Sequence, residues 1–359
     1  MMNKTEGVKE FDIHLTKACT GMCDFCYATH KDSELMKLWK PHGDTETLMT
    51  VIRNIRVAGG AEDVVFVGGD PCQHPDIIPL LEYAKEVGLH TCVLSNTHLY
   101  RHNGILVPME KVVRIVDEMD FTLHGTPRVH DAFNGNKGAY ESAVSQLKEF
   151  VALRGDDQEV GVVVNLTPEV VEHLDETLRT FFAEVPLDPK RDHILVQRIA
   201  PVGRAAENFE RWKITPEMLV EALEEFEKIQ KEFGIEVKLD AVDVFPWCVV
   251  PEKYHYMLTP GGCQWGQPGG VLSVLPDGGI QRCALSGKVL GNICSLTTPE
   301  QFREFFENDP TLKAFREKQH LYDCCKKCKY FEQCGGGCVI ATGGDPYGGV
   351  LYRGIDYLA

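Results

Sequence analysis

Residues 15–27 read LTKACTGMCDFCY, with thiols at Cys19, Cys23 and Cys26 and an aromatic ring, Phe25, just before the last of them. Three thiolates within eight residues can all reach one metal centre. Three is also one short of the protein ligand set that closes a structural zinc site. An incomplete set leaves a coordination position for a cofactor or substrate. The short apolar run Phe11–Leu15 precedes the motif, so the cysteines sit where a strand ends. A zinc knuckle or buried structural cysteines are the plainer readings of such spacing.

Working outward, the first 240 residues alternate apolar runs with longer amphipathic segments. The runs Phe11–Leu15, Asp63–Val67, His90–Ser95, Asp120–His124, Val160–Leu166 and His193–Ala200 are nearly continuous in hydrophobicity, as parallel strands covered on both faces require. Helical patterns fall between them at Thr45–Val57, Pro75–Val87, Met109–Glu118, Ala139–Leu153 and Pro168–Phe182, and another follows at Pro216–Phe233. Thr167, Thr215 and Thr298 each precede a Pro-Glu pair, marking helix starts. The expected fold is α/β: about six parallel strands with right-handed helical crossovers, an open sheet or a partial TIM barrel. Functional groups in such folds gather at the carboxyl ends of the strands. The cysteine triad follows the first strand, and Gly68, Gly69, Asp70 and Pro71 follow the second.

Composition sets outer bounds. The chain has 359 residues, 43% hydrophobic and 25% charged, with a net charge of −16 that disfavours general nucleic-acid binding. No apolar run reaches membrane-spanning length, and residues 1–10 have no apolar signal core, so no membrane association and a cytoplasmic location are expected. In that compartment 14 cysteines call for metal rather than disulfides. Nine form two ordered groups; Cys72, Cys92, Cys248, Cys294 and Cys324 remain, and Cys92, inside an apolar strand, reads as core.

The CxxxCxxC motif with Phe25 resembles the cluster motif of the radical S-adenosylmethionine (radical SAM) superfamily. The resemblance implies a [4Fe–4S] cluster on Cys19, Cys23 and Cys26 whose remaining position is taken by S-adenosylmethionine. It implies reductive cleavage of that cofactor to a 5′-deoxyadenosyl radical, which abstracts a hydrogen atom from substrate. Gly68, Gly69, Asp70 and Pro71 resemble the family's GGEP-type segment, with Asp70 in place of the commoner Glu. Ser95, Asn96, His124 and Asn165 at strand ends, and Arg198, resemble positions that touch the cofactor, although each also reads as a turn, a cap or an ordinary ion partner.

From Trp247 the chain becomes rich in Gly, Pro and Cys, with strand signals at Leu272–Leu275 and Ile280–Arg282 around an Asp277-Gly278 hairpin turn and a helix over Pro299–Glu307. Such a region is expected to be a small metal-stapled domain, dividing the chain into 8–240 and 241–359. Cys263, Gly278 and Cys283, then Cys325, Cys328, Cys334 and Cys338, resemble a SPASM domain and imply one or two auxiliary [4Fe–4S] clusters; a zinc ribbon is the alternative. By that resemblance Cys263, Cys283 and Cys338 serve one cluster, with Cys248 or Cys294 as possible fourth ligand. Cys325, Cys328 and Cys334 serve the other. No cysteine follows Cys338 where the family has its last one; Asp356 or Cys324 takes that place, or the site stays open.

Three functions compete. SPASM-bearing relatives commonly modify peptides or protein side chains, which implies a peptide or protein substrate and a ferredoxin- or flavodoxin-type electron donor. Since only ten residues precede the first strand, a separate peptide-recognition protein or a leaderless substrate is expected. A small-molecule dehydrogenase or a tetrapyrrole side-chain decarboxylase is the second reading. A non-catalytic electron carrier is the third, and it does not need the open triad. Lys326, Lys327 and Lys329 either dock the donor or form a solvated face. No general acid or base is identifiable; Asp240, Asp243 and His255 are candidates by position alone.

Overall fold

Strands that are hydrophobic on both sides need helices on one face and a filled interior on the other. The computed structural model, which describes residues 7–28, 42–97, 108–239, 244–318, 321 and 323–342 (without the side chains of 324 and 342), has that arrangement. Strands β1 (Glu10–Thr16), β2 (Asp63–Gly68), β3 (His90–Ser95), β4 (Glu118–Leu123), β5 (Glu159–Leu166) and β6 (His193–Arg198) lie side by side in chain order, all parallel. A short seventh, β7 (Glu236–Lys238), adds beyond β6.

On β1, Phe11, Ile13 and Leu15 are fully buried, and so are His14 and Thr16, which point the other way. The outer face packs on helices such as Thr45–Val57, whose Leu48, Val51, Ile52 and Ile55 recur at helical spacing. Each such side chain contributes about 1.5–3 kcal/mol on burial. The inner face is polar and the sheet curls around it. Asp12 on β1 feels the charge of Asp120 on β4, three strands away, a separation of about 14 Å if the sheet were flat.

The C-terminal region joins this same sheet. Strand β8 (Val271–Val274) pairs parallel to β1, from Glu10 opposite Val271 to Ile13 opposite Val274. Strands β9 (Gly279–Gln281) and β10 (Val289–Asn292) follow antiparallel, giving ten strands in the order β10-β9-β8-β1-β2-β3-β4-β5-β6-β7. The Asp277-Gly278 turn forms as expected, with Gly278 at φ 86° and the Leu275 N–H donating to Gly279 O at 2.8 Å.

Several boundaries differ from expectation. The helix expected over Met109–Glu118 ends at Val112, and Glu118 begins β4. The Pro168–Phe182 segment is two helices, Pro168–Glu172 and Leu174–Glu184, meeting at His173. A helix at Pro127–Asn134, closed by the left-handed Gly135, was not expected. Thr167, Thr215 and Thr298 all cap, the last in a full capping box with Gln301.

Candidate functional site

The loop carrying the triad leaves β1 and is held against the end of β2 by backbone contact. The Gly69 N–H donates to Thr16 O at 2.6 Å and the Asp70 N–H to Ala18 O at 2.8 Å. A Cβ on Gly69 would lie 2.3 Å from Ala18 O, so only glycine permits this approach. Gly68, at φ 133°, makes a similar approach to Thr16 O.

The Asp70 carboxylate is buried and accepts from Ser95 Oγ (2.9 and 3.1 Å), the Cys72 N–H (2.9 Å) and the Asn96 N–H (3.1 Å). It locks the ends of β2 and β3 together. Burial raises its pKa to about 6, with those donors working against the shift. Ser95 is thus spent on Asp70, while the Asn96 side-chain amide donates to Cys19 Sγ at 3.2 Å.

Beyond β4, His124 Nε2 lies 3.9 Å from Cys23 Sγ, and the His124 ring meets Phe25 edge-on at 5.1 Å. Phe25 packs in turn against Phe133 and Trp212, so the aromatic in the motif anchors the loop. Three further residues hold the loop. Asn134 O accepts from the Met22 N–H at 2.7 Å, Asn136 Nδ2 donates to Thr20 O at 2.7 Å, and Arg204 Nη1 donates to Met22 O at 2.8 Å. Asn134 had no signal except the Thr-Pro start and glycine stop of its helix, and Asn136 lies just beyond that stop.

The donor set fits a cluster with a position left open: three thiols on one loop, one short of a closed tetrahedral set. Burial, and then the neighbouring Cys26, pushes the Cys23 thiol up to about 12, and burial also raises Cys19, so metal must displace protons here. Beside the loop, His124 Nδ1 and Asn134 Nδ2 are buried with no hydrogen-bond partner among the described residues. Buried polar atoms are normally matched by a ligand or water.

Asn165 lies on β5 opposite Gln197, and Arg198 ends β6. Arg198 Nη2 donates to Val244 O at 3.1 Å and its guanidinium covers the Phe245 ring. The same carbonyl accepts from the Cys338 N–H at 2.9 Å. Arg198 therefore ties the end of β6 to the second cysteine group.

In that group Cys263, Cys283 and Cys338 surround one buried cation, Arg282. Burial opposes its charge, yet Cys283, Cys263 and Cys338 outweigh burial and raise its pKa. Arg282 Nη1 is 3.9 Å from Cys263 Sγ, and its guanidinium lies over Phe315 at 4.1 Å. The three thiols that the SPASM resemblance assigns to one cluster therefore all lie near Arg282. Cys294 faces Gly278, with Asp277 and Arg53 as its charged neighbours. Cys248 follows Trp247, whose N–H donates to Cys334 Sγ at 3.5 Å. Gly335, Gly336 and Gly337 all take positive φ, turning the chain from Cys334 to Cys338.

Cys92 is buried, as expected, on β3, where it pairs with Val65 of β2 and Glu118 of β4. His255 Nε2 is engaged with the carbonyls of Trp247 and Val250. Lys326 pairs with Asp323 and Lys329 with Glu252, leaving Lys327 exposed without a described ion pair. Asp240, Asp243, Asp356 and the Cys324 side chain lie outside the described residues.

Residues 13–181 match the family model described as the Radical SAM superfamily. The chain is 24% identical over 293 residues to an AdoMet-dependent heme synthase of Methanosarcina barkeri, covering 77% of each protein. It is 24% identical over 347 residues to a PqqA peptide cyclase of Ruegeria pomeroyi, covering 92% of this chain and 83% of that one. Among solved structures, Streptococcus suis SuiB bound to its precursor peptide SuiA superposes with a TM-score of 0.67 at 14% identity, over 93% of this chain and 72% of that one. That likeness concerns the fold.

Proposed function

This chain belongs to the radical SAM superfamily, and we propose that it is a peptide- or protein-modifying member acting on a side chain of its substrate. It is an enzyme that uses S-adenosylmethionine and a [4Fe–4S] cluster. When bound and reduced, these supply the radical that removes a hydrogen atom from an unactivated carbon. The residues of this chain hold and shield the site. Cys19, Cys23 and Cys26 ligate the cluster. Gly68 and Gly69 admit the close backbone approach, and Asn96 and His124 flank the sulfurs.

One observation carries the reading: Cys263, Cys283 and Cys338 gather at Arg282 while Arg198 and Cys338 share the Val244 carbonyl. Auxiliary clusters on the region 241–359 would then stand directly against the end of β6 in the barrel region 8–240. The similarity to a PqqA peptide cyclase over 92% of the chain supports a peptide substrate. We assign Cys325, Cys328 and Cys334, with Asp356 or Cys324, to a second auxiliary cluster, and a ferredoxin- or flavodoxin-type protein as donor. None of the described cysteines is in a disulfide, which suits a cytoplasmic enzyme. No helix among the described residues is long and apolar enough to cross a membrane.

A second reading, modification of a tetrapyrrole, has the similarity to heme synthases behind it. The test is anaerobic reconstitution followed by reduction with S-adenosylmethionine and either a peptide encoded beside the gene or an iron porphyrin bearing propionates. Reconstituted protein should hold on the order of 8–12 iron atoms. Deoxyadenosine formation stimulated by peptide, with loss of hydrogen from that peptide by mass, supports the first reading. Stimulation by the porphyrin alone, with carboxyl loss, replaces it with the second.

A further inference from the structure

The convergence of metal-binding atoms occurs at the opposite end of the barrel. Cys92 Sγ and carboxylate oxygens of Glu118 and Asp120 lie within 4.8 Å of one another, and so do donor atoms of Glu118, Glu159 and His193. Glu118 belongs to both groups. Glu118, Glu159 and His193 are the first residues of β4, β5 and β6, and Cys92 and Asp120 lie two positions into β3 and β4. All five face inward at the amino ends of the strands, a strand's length from the triad at the carboxyl ends. We propose that these five residues bind one divalent transition-metal ion of the zinc class.

Three independent features point to a cation. First, Asp120 is only 8% exposed, and its Oδ1 has no hydrogen-bond partner among the described residues. Leaving a buried carboxylate oxygen unmatched is costly. Secondly, the space for that oxygen exists because residue 161 is glycine: a Cβ there would lie 2.1 Å from Asp120 Oδ1 and 3.3 Å from His193 Nε2. Mid-strand glycine weakens a strand unless something needs the room.

Thirdly, negative charge is in excess. Glu10 and Asp12 from β1 face the same interior, so carboxylates from β1, β4 and β5 share it. The cations packed around the mouth are already engaged: Lys9 with Asp63 at 3.1 Å, His90 with Asp63 at 3.7 Å, and Lys238 with Glu236 at 3.3 Å. His193 faces Glu118 at 3.3 Å. A divalent ion would take the place of that contact. A thiolate, an imidazole and carboxylates together suit zinc and its borderline neighbours, whereas calcium and magnesium prefer oxygen alone. Glu118 and Glu159 at the rim give the ion a way in.

The test uses the full chain with its iron–sulfur centres reconstituted and its iron measured. The protein is exposed to zinc sulfate, desalted and analysed for metals. Wild type should retain about one zinc per chain beyond its iron, and Asp120→Asn and His193→Gln should lose it with iron unchanged. Should those buried substitutions disturb folding, Glu159→Gln at the rim decides, with zinc held about tenfold more weakly and an unaltered melting temperature in chelator. In cobalt-exchanged protein the thiolate-to-cobalt absorption should vanish in Cys92→Ser. Wild type that retains no zinc, variants that retain it equally, or a cobalt band that persists in Cys92→Ser would overturn the proposal.

Discussion

The side-chain amide of Asn96 donates to Cys19 Sγ across 3.2 Å, while the backbone N–H of the same residue donates to Asp70 at 3.1 Å. One residue thus couples the end of β3 both to the cluster loop and to the carboxylate that locks β2. N–H donors to cluster sulfur stabilise the reduced, more negative state. Asn96→Ala should shift the triad cluster's reduction potential to a more negative value and slow deoxyadenosine formation by about tenfold. Potentiometry with electron paramagnetic resonance reads the first effect, and a potential equal to wild type removes this role from Asn96.

Gly69 is a second point of dependence. A Cβ there meets the Ala18 carbonyl oxygen at 2.3 Å, and backbone cannot swing aside as a long side chain can. Gly69→Ala should cost about 2–4 kcal/mol and lower the iron held by the triad. Chemical denaturation and iron analysis check this; wild-type stability and iron content would show that the approach is not needed.

Arg282 should matter to the auxiliary region alone. Arg282→Met keeps much of the packing on Phe315 but removes the charge among Cys263, Cys283 and Cys338. Iron at the auxiliary site should fall while the triad cluster still forms. Equal loss from both sites would mean general unfolding instead.

The acidic interior gives a pH dependence. Burial, then Asp63 and Glu118, raises Glu10 from 4.5 to about 7; burial, then Glu118, raises Asp120 from 3.8 to about 8. Both groups bind protons more tightly folded than unfolded. Their contribution is present in full below the unfolded values and is lost as pH rises through the folded ones. In chelator, the urea midpoint should fall from about pH 5 to about pH 8, and Asp120→Asn should flatten the fall. A midpoint that rises over this range contradicts the assignment.

The six central strands were legible because parallel strands buried on both faces are nearly continuous in hydrophobicity. What that signal hid is the inner face. Asp12, Glu118 and Asp120 look like interruptions in the sequence, and in the fold they are neighbours across the barrel. Glu118 was read as a helix end because acidic residues disfavour strands. Strand β7 has only three residues, two of them charged, and carries no periodicity. Gly69 and the grouping of Cys263, Cys283 and Cys338 came from the family resemblance, while the triad was readable from spacing. The clasp by Asn134, Asn136 and Arg204 was not, since such contacts depend on residues brought together only by the crossovers. Arg198, read from its strand-end position as a cofactor contact, also reaches the Val244 carbonyl shared with Cys338, a tie that its position did not signal.

The most direct measurement is 5′-deoxyadenosine formation by reduced, reconstituted protein given S-adenosylmethionine, with and without Cys19, Cys23 and Cys26 all replaced by Ala. The wild type should produce it, and the triple variant should produce none while its auxiliary iron stays bound. Cofactor cleavage that persists in the triple variant would contradict the assignment of the triad as the site of radical formation.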